Sequence, residues 1–170
     1  MDEQWRSSMW RQFGAAIDML GDALRLCPEE LWQARVWDDP HGEFWNVAYH
    51  TLLWLDLYLS GTLTGFFPPP PVTLEEIDPS GRLPERPFSK DELLTYLAHT
   101  RAKCQATIST LTDARVQEIC AFPWGFEMGF GELQLYNMRH VQEHAAQLKL
   151  LLGPLGASAP SWRGRPNPGT

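Results

Sequence analysis

The stretch ELQLYNMRHVQEHAAQLKLLL, residues 132–152, decides the fold of this chain. Its inward-type residues recur every three or four positions, which is the spacing of one face of an α-helix. The residues that share this face are Leu133, Tyr136, Asn137, His140, His144, Leu148 and Leu151. Gly153 and Pro154 follow directly, and this pair is typical of a helix end. The stretch therefore predicts a long amphipathic helix that buries one side.

Three further segments show the same helical spacing, over residues 4–26, 43–60 and 89–112. At the start of the last of these, Ser89 and Glu92 form the pattern of a capping box. No stretch of useful length alternates apolar and polar residues as a half-buried strand would. Four amphipathic helices of about 20 residues each predict an all-α fold, namely a four-helix bundle.

Two breaks separate the predicted helices. Residues 62–88 include four consecutive prolines at 68–71, which cannot be helical, and so long a connection predicts a crossover between helices 2 and 3. Residues 113–130 contain PWGFEMGFG and are predicted to be irregular. We expect one domain over residues 1–153 and a Pro/Gly-rich C-terminal tail over residues 154–170.

Composition restricts the class of protein. The 170 residues are 44% hydrophobic and include eight Trp, so the chain can bury a core. The net charge is −7, and outside Arg163 and Arg165 no basic cluster exists, which argues against a nucleic-acid partner and a membrane partner. The N-terminus lacks the pattern of a signal peptide. The chain has three widely spaced cysteines and no CxxC motif: Cys27, Cys104 and Cys120. This pattern is typical of reduced thiols in a cytoplasmic protein.

Three histidines are the candidate functional residues. His140 and His144 lie four positions apart, so a helix points both rings the same way, about 6 Å apart along its axis. His50 occupies an inward position of the second predicted helix. Three imidazoles suit a divalent metal ion, with zinc or nickel expected first and iron or copper as alternatives. Such a site leaves a fourth position open, as in catalytic metal centres.

The same histidines also suit roles that involve no such metal site. They could be core residues that are hydrogen-bonded to Tyr, Asn or backbone groups. His140, Glu143 and His144 also fit the HxxEH protease motif, but no acidic residue follows His144 to act as the third ligand. Di-iron chemistry needs a Glu three residues before a His, and no histidine here has one. The protease and di-iron interpretations are therefore rejected.

Several polar and aromatic residues lie one helical turn from a candidate ligand and could orient the imidazoles or line a pocket. They are Asn46, Trp54, Tyr136, Asn137 and Gln147. Ordinary packing between helices is the alternative role for each of them. Glu143, His41 and His99 fall outside the inward positions, so we expect them to be solvated.

The order of four features carries a family resemblance. A first helix is followed by LCPEELW, and the aromatic helix FWNVAYHTLLWLDLYLSG carries one His. A long crossover follows, and the final helix LYNMRHVQEHAAQLKLLLGPLG carries HxxxH. Over most of its length, up to Gly153, the chain resembles the DinB-like (YfiT-like) superfamily of metalloenzymes. The resemblance implies a four-helix bundle that binds one divalent metal ion, with His50, His140 and His144 matching the three ligand positions. It also implies a homodimer.

Characterised members of that superfamily include S-transferases and isomerases that use thiols such as bacillithiol, mycothiol or glutathione. Other members resemble hydrolases, and many have no known reaction. The leading hypothesis is therefore an enzyme whose metal activates water or a low-molecular-weight thiol for attack on a small-molecule electrophile. The alternative is a non-catalytic metal-binding or dimeric interaction protein, in which the metal only joins two helices. The catalytic residues and the cofactor-binding residues beyond the metal ligands are not predicted.

Overall fold

The chain is mainly helical, as the spacing of its apolar residues predicts. In the computed structural model, which describes residues 2–168, there are five α-helices and one two-stranded sheet. The elements are α1 (Glu3–Leu26), α2 (Phe44–Ser60), α3 (Lys90–Ser109), α4 (Asp113–Gln117), β1 (Ile119–Phe122), β2 (Phe126–Gly129) and α5 (Phe130–Leu152). Within the described part of the chain, no helix is both long enough and apolar enough to cross a membrane.

The predicted helix ends are largely confirmed. Ser89 and Glu92 form the capping box of α3, because each side chain accepts the backbone N–H of the other residue. Gly61 ends α2 in the left-handed conformation, with φ 75°, which glycine adopts without steric cost. Gly153 follows the last residue of α5. The predicted end of α3 is wrong by about one turn, because the helix stops at Ser109 and not near residue 112.

The four long helices pack around a shared apolar core. Helix α1 contacts α3 and α5, and α2 contacts the same two helices. Fully buried side chains from each helix fill the space between them, including Phe13, Leu20, Leu52, Leu55, Leu93, Ile108, Leu133 and Leu148. This burial is the main favourable contribution to folding.

Two buried amides fix how α5 lies on α2. Gln134 donates from Nε2 to the backbone oxygen of Tyr58 at 2.8 Å. Asn137 donates from Nδ2 to the backbone oxygen of Leu55 at 3.1 Å. Residue numbers thus rise along one helix as they fall along the other, so the two helices are antiparallel. Further along the same contact, the second-helix histidine faces the histidines of α5.

A hairpin lies where the sequence predicted only irregular structure, and that prediction is wrong. Strands β1 and β2 pair antiparallel, from Ile119 opposite Gly129 to Phe122 opposite Phe126. Gly125, with φ 81°, forms the turn between them. Each strand has four residues, which is too short for an alternating pattern to stand out in the sequence. The buried Cys120 and Phe122 of β1 hold the hairpin on the core.

The connection between α2 and α3 is long and mostly irregular, as predicted. Over residues 62–88 the structure describes one short 3₁₀ turn, Glu75–Ile77. Phe66 and Val72 are buried in the core and anchor the connection. Its middle part contacts α2 and places one side chain, Glu76, beside His50.

The segment after α5 contacts the first and third helices. The backbone N–H of Asn167 donates to Asp18 Oδ2 at 2.6 Å, and Arg101 Nη2 donates to the Asn167 carbonyl at 3.1 Å. Arg163 pairs with Asp22. The division into a domain at residues 1–153 and a tail at 154–170 stays a prediction. Three of the residues in this division, Met1, Gly169 and Thr170, lie outside the described residues.

Candidate metal centre

Helices α2 and α5 bring three imidazole rings together. His140 Nε2 lies 3.0 Å from His50 Nε2 and 3.1 Å from His144 Nε2. One nitrogen from each ring falls within 4.8 Å of the others. Because His50 is 90 residues from His140 in the chain, this convergence results from the antiparallel packing of the two helices. The three side chains are positioned to hold one metal ion.

The outer nitrogens of two rings have hydrogen-bond acceptors. His50 Nδ1 lies 2.5 Å from the Glu76 carboxylate, and His144 Nδ1 lies 2.7 Å from the Gln147 amide oxygen. Both acceptors need a proton on Nδ1, and in the neutral form of each ring this tautomer leaves the lone pair on Nε2. Both lone pairs are directed into the space that the three rings share.

The surroundings of the third ring, His140, indicate whether the arrangement suits a cation. His140 Nδ1 is buried and has no hydrogen-bond partner within residues 2–168. With its proton on Nδ1, three lone pairs meet without a donor. With its proton on Nε2, it donates to one neighbour at a time and leaves Nδ1 unsatisfied. A cation would accept all three Nε2 lone pairs, so the donor set fits a metal ion.

Burial keeps the rings of α5 neutral. Desolvation, followed by the effect of the neighbouring rings of His50 and His144, lowers the pKa of His140 to about 3. Desolvation and the His50 ring also lower the pKa of His144. Neutral imidazole is the form that binds metals, so these two rings of α5 are in the metal-binding form at neutral pH.

Within the part of the chain that the structure describes, no fourth His, Cys, Asp or Glu joins the three histidines. The His50 side chain is 29% exposed, so this ring is partly open to solvent. An open position and solvent access are features of catalytic metal sites, whereas structural sites are closed by four ligands.

Two of the residues predicted to lie near the ligands contact the centre. Gln147 accepts the outer N–H of His144 and so orients that ring. Trp54 packs beside His50 with ring centroids 6.2 Å apart, and its Nε1 lies 3.4 Å from the Glu76 carboxylate. Both are one turn from a histidine, so the helical spacing indicated them correctly.

The other predicted neighbours have packing roles. Asn46 donates to the His41 carbonyl at 2.9 Å, and Asn137 donates to the Leu55 carbonyl. Tyr136 packs on the ring of Tyr58, with centroids 5.7 Å apart. These contacts hold α2 against α5 and against the loop that precedes α2. None of the three contacts involves His50, His140 or His144.

The remaining polar candidates lie away from the three rings. Glu143 is exposed, as expected. His99 is also exposed, and its Nε2 lies 3.9 Å from the buried Asp56. His41 is half-buried at the turn before α2.

Sequence reasoning missed Glu76. This residue lies in the 3₁₀ turn of the long connection, 26 positions after His50, and its side chain is only 15% exposed. No helical or strand periodicity extends into this connection. The sequence therefore gives no face of a helix or strand to which Glu76 could be assigned. The one available signal is the acidic pair Glu75 and Glu76 within a Pro-rich segment.

The arrangement of helices and histidines agrees with a match to a known protein family. The model of the DinB superfamily matches residues 12–148. The matched region includes all three histidines and the long connection. No curated protein gave a significant match to the chain.

Proposed function

Because this chain belongs to the DinB superfamily, we propose that it is a metal-dependent enzyme whose ligands are His50, His140 and His144. The convergence of the three Nε2 atoms within 4.8 Å supports this assignment most directly. Zinc or nickel is the first expectation for three imidazoles, and iron or copper would also be accepted.

The proposed chemistry is the activation of a nucleophile. When bound, the divalent ion would act as a Lewis acid toward water or a low-molecular-weight thiol, which gives a hydrolase or a thiol S-transferase. The residues of the chain have simpler tasks: the three rings hold the ion, and Gln147 keeps His144 oriented. A small electrophilic substrate would approach the ion beside the exposed part of the His50 side chain, which is 29% exposed. We propose no nucleic-acid or membrane partner.

The thiol of a transferase would come from a cosubstrate. Cys27, Cys104 and Cys120 are free but buried. Burial raises the pKa of Cys27 to about 11, and it also raises the pKa of Cys104 and Cys120. Thiolate is the reactive form, so these residues are poor nucleophiles at neutral pH.

Elemental analysis of purified protein tests the ligand assignment. His140→Ala should abolish stoichiometric metal binding, because two imidazoles cannot complete the site. Its helix content by circular dichroism should stay close to that of wild type, since Leu133 and Leu148 still bury the inner face of α5. His99→Ala is the matched control, because His99 is an exposed histidine outside the centre. A full metal complement in His140→Ala would refute the assignment.

The reaction class needs a separate test. Metal-loaded wild type and His140→Ala should be incubated with model ester, amide and halide electrophiles, with and without glutathione, bacillithiol or mycothiol. Metal-dependent loss of the thiol supports a transferase, and turnover without thiol supports a hydrolase. No turnover in any combination would favour the second candidate.

That second candidate is a non-catalytic metal-binding or dimeric interaction protein. Its support is the number of large apolar side chains on the surface, among them Phe67 at 81% and Trp162 at 69% exposure. Sedimentation of wild type against Phe67→Ser and Trp162→Ser tests whether these side chains form such a surface, and the turnover assay separates the two candidates. A dimer that dissociates in a variant supports an interaction surface.

For the finer architecture, we propose a four-helix bundle in which residues 62–88 cross from α2 to α3. The pairwise contacts of α1, α2, α3 and α5 support this arrangement. We also propose a cytoplasmic location, which agrees with three free cysteines.

A further inference from the structure

Glu76 occupies a particular place beside the metal centre. Its Oε1 atom lies 2.5 Å from His50 Nδ1 and 3.4 Å from Trp54 Nε1. The side chain is 15% exposed, so its charge is only partly screened by solvent. A carboxylate that accepts the outer N–H of a ligating imidazole fixes the tautomer and increases the donor strength of the inner nitrogen.

Position 76 is held from α2 itself. The Tyr49 hydroxyl donates to the Thr73 carbonyl at 2.9 Å and accepts the backbone N–H of Glu76 at 3.4 Å. Tyr49 is fully buried and is the neighbour of His50 in the chain. Two adjacent residues of α2 thus have linked roles: His50 is a candidate ligand, and Tyr49 holds the backbone of the residue that accepts the outer N–H of His50.

The three rings differ in their outer partners. His144 has the neutral amide of Gln147, and His140 Nδ1 has no hydrogen-bond partner in the described chain. His50 has a carboxylate. Among the described hydrogen bonds to the triad, the contact from Glu76 is therefore the one that brings a full negative charge to a ring.

We propose that Glu76 is the positioning residue of the metal centre, which makes the connection at residues 62–88 part of the site. This inference rests on the proposed function. The carboxylate sets the His50 tautomer, directs its Nε2 lone pair toward the other two rings and offsets the charge of a divalent cation. The competing role is that Glu76 only fastens the connection to α2.

Substitution by glutamine separates the two roles. Glu76→Gln keeps an oxygen that can accept the Nδ1 proton of His50, so it preserves the fastening and removes the charge. A purely fastening role predicts unchanged zinc affinity. A positioning role predicts zinc affinity that is weaker by about 10-fold in Glu76→Gln and by about 10- to 100-fold in Glu76→Ala.

The experiment is a zinc titration against a chromophoric chelator, together with the visible spectrum of the Co²⁺-substituted protein. Glu76→Gln should shift the Co²⁺ bands, because the donor strength of one nitrogen changes. Glu75→Gln is the matched control, since Glu75 is the adjacent carboxylate and has no hydrogen bond to a histidine. If Glu76→Ala unfolds, Glu76→Leu takes its place, because leucine is close to glutamate in size and cannot accept the Nδ1 proton of His50.

The outcomes distinguish this inference from the function on which it rests. If wild type binds zinc, His50→Ala loses it, and Glu76→Gln matches wild type in affinity and Co²⁺ spectrum, then the contribution of the Glu76 charge is refuted alone. Wild-type affinity in Glu76→Ala as well would also refute its role in setting the His50 tautomer. If wild type binds none of Zn²⁺, Ni²⁺, Co²⁺, Fe²⁺ or Cu²⁺, or if His50→Ala binds them as wild type does, then the metal centre itself is refuted.

Discussion

Gln147 accepts the outer N–H of His144 as Glu76 accepts that of His50, but without a negative charge. Its amide oxygen lies 2.7 Å from His144 Nδ1. Gln147→Leu should keep the apolar packing but remove this acceptor, so zinc affinity should fall by about 10-fold. The chelator titration measures this change. Gln142→Leu is the control, because the Gln142 amide contacts Met19 and not a histidine. Equal affinities for both variants would contradict an orienting role for Gln147.

The positions of single residues show what periodicity can and cannot predict. His50, His140, His144 and Gln147 were indicated because helical geometry fixes which side chains share a face. Glu76 was not, because the path of an irregular connection is decided by tertiary contacts such as those of Tyr49. The inner part of the site was therefore predictable, and the outer carboxylate was not.

At the scale of the element, the start of α3 depends on one carboxylate. Glu92 accepts from Arg86 at 2.6 Å and from the Ser89 backbone N–H at 2.8 Å. The hydrogen bond from Arg86, followed by that from Ser89, lowers the pKa of Glu92 to about 2. Because the folded-state pKa is depressed, the stabilisation is present above about pH 4.5 and is lost as the pH falls toward about 2.

Glu92→Gln tests this element. We expect it to lower the free energy of unfolding by about 1 kcal/mol at neutral pH, a modest value because the carboxylate is partly solvated. The difference from wild type should shrink between about pH 4.5 and 2. Urea denaturation at several pH values measures it. Glu85→Gln, at an exposed position nearby, should show no such difference. A difference that does not vary with pH would contradict a stabilising role for the Glu92 charge.

The helices and strands also differ in how well they can be predicted from the sequence. The four long helices were predicted because each repeats its apolar spacing over several turns. The hairpin was missed because β1 and β2 have four residues each and pair only with each other in the described sheet. Its stability comes from packing of residues such as Phe122 on the core, which local sequence does not encode.

At the scale of the whole molecule, the segment after α5 completes a buried charge network. Arg101 binds Asp18 through two hydrogen bonds, of 2.7 and 3.3 Å, and both residues are buried. Asn167 contributes its backbone N–H and carbonyl to the same pair. A buried charge that loses partners is costly, so this segment should contribute to stability.

Deletion of residues 154–170 tests that contribution. We expect the shortened chain to fold but to lose on the order of 3 kcal/mol of unfolding free energy. Its zinc affinity should match that of the full chain, since the ligands lie on α2 and α5. Trp162→Ser, a change at an exposed position of the same segment, should cost much less. Identical denaturation midpoints for the short and full chains would mean that the segment is an independent tail.

The two amides that run from α5 to carbonyls of α2 have a consequence for how an ion is taken up. Displacing α5 by a single residue, about 1.5 Å, would break the contacts of Gln134 and Asn137 while leaving their polar groups buried. These two buried hydrogen bonds therefore fix the register of α5 on α2 independently of the histidines. We expect an ion to bind or leave beside the exposed part of His50 without any sliding of one helix along the other.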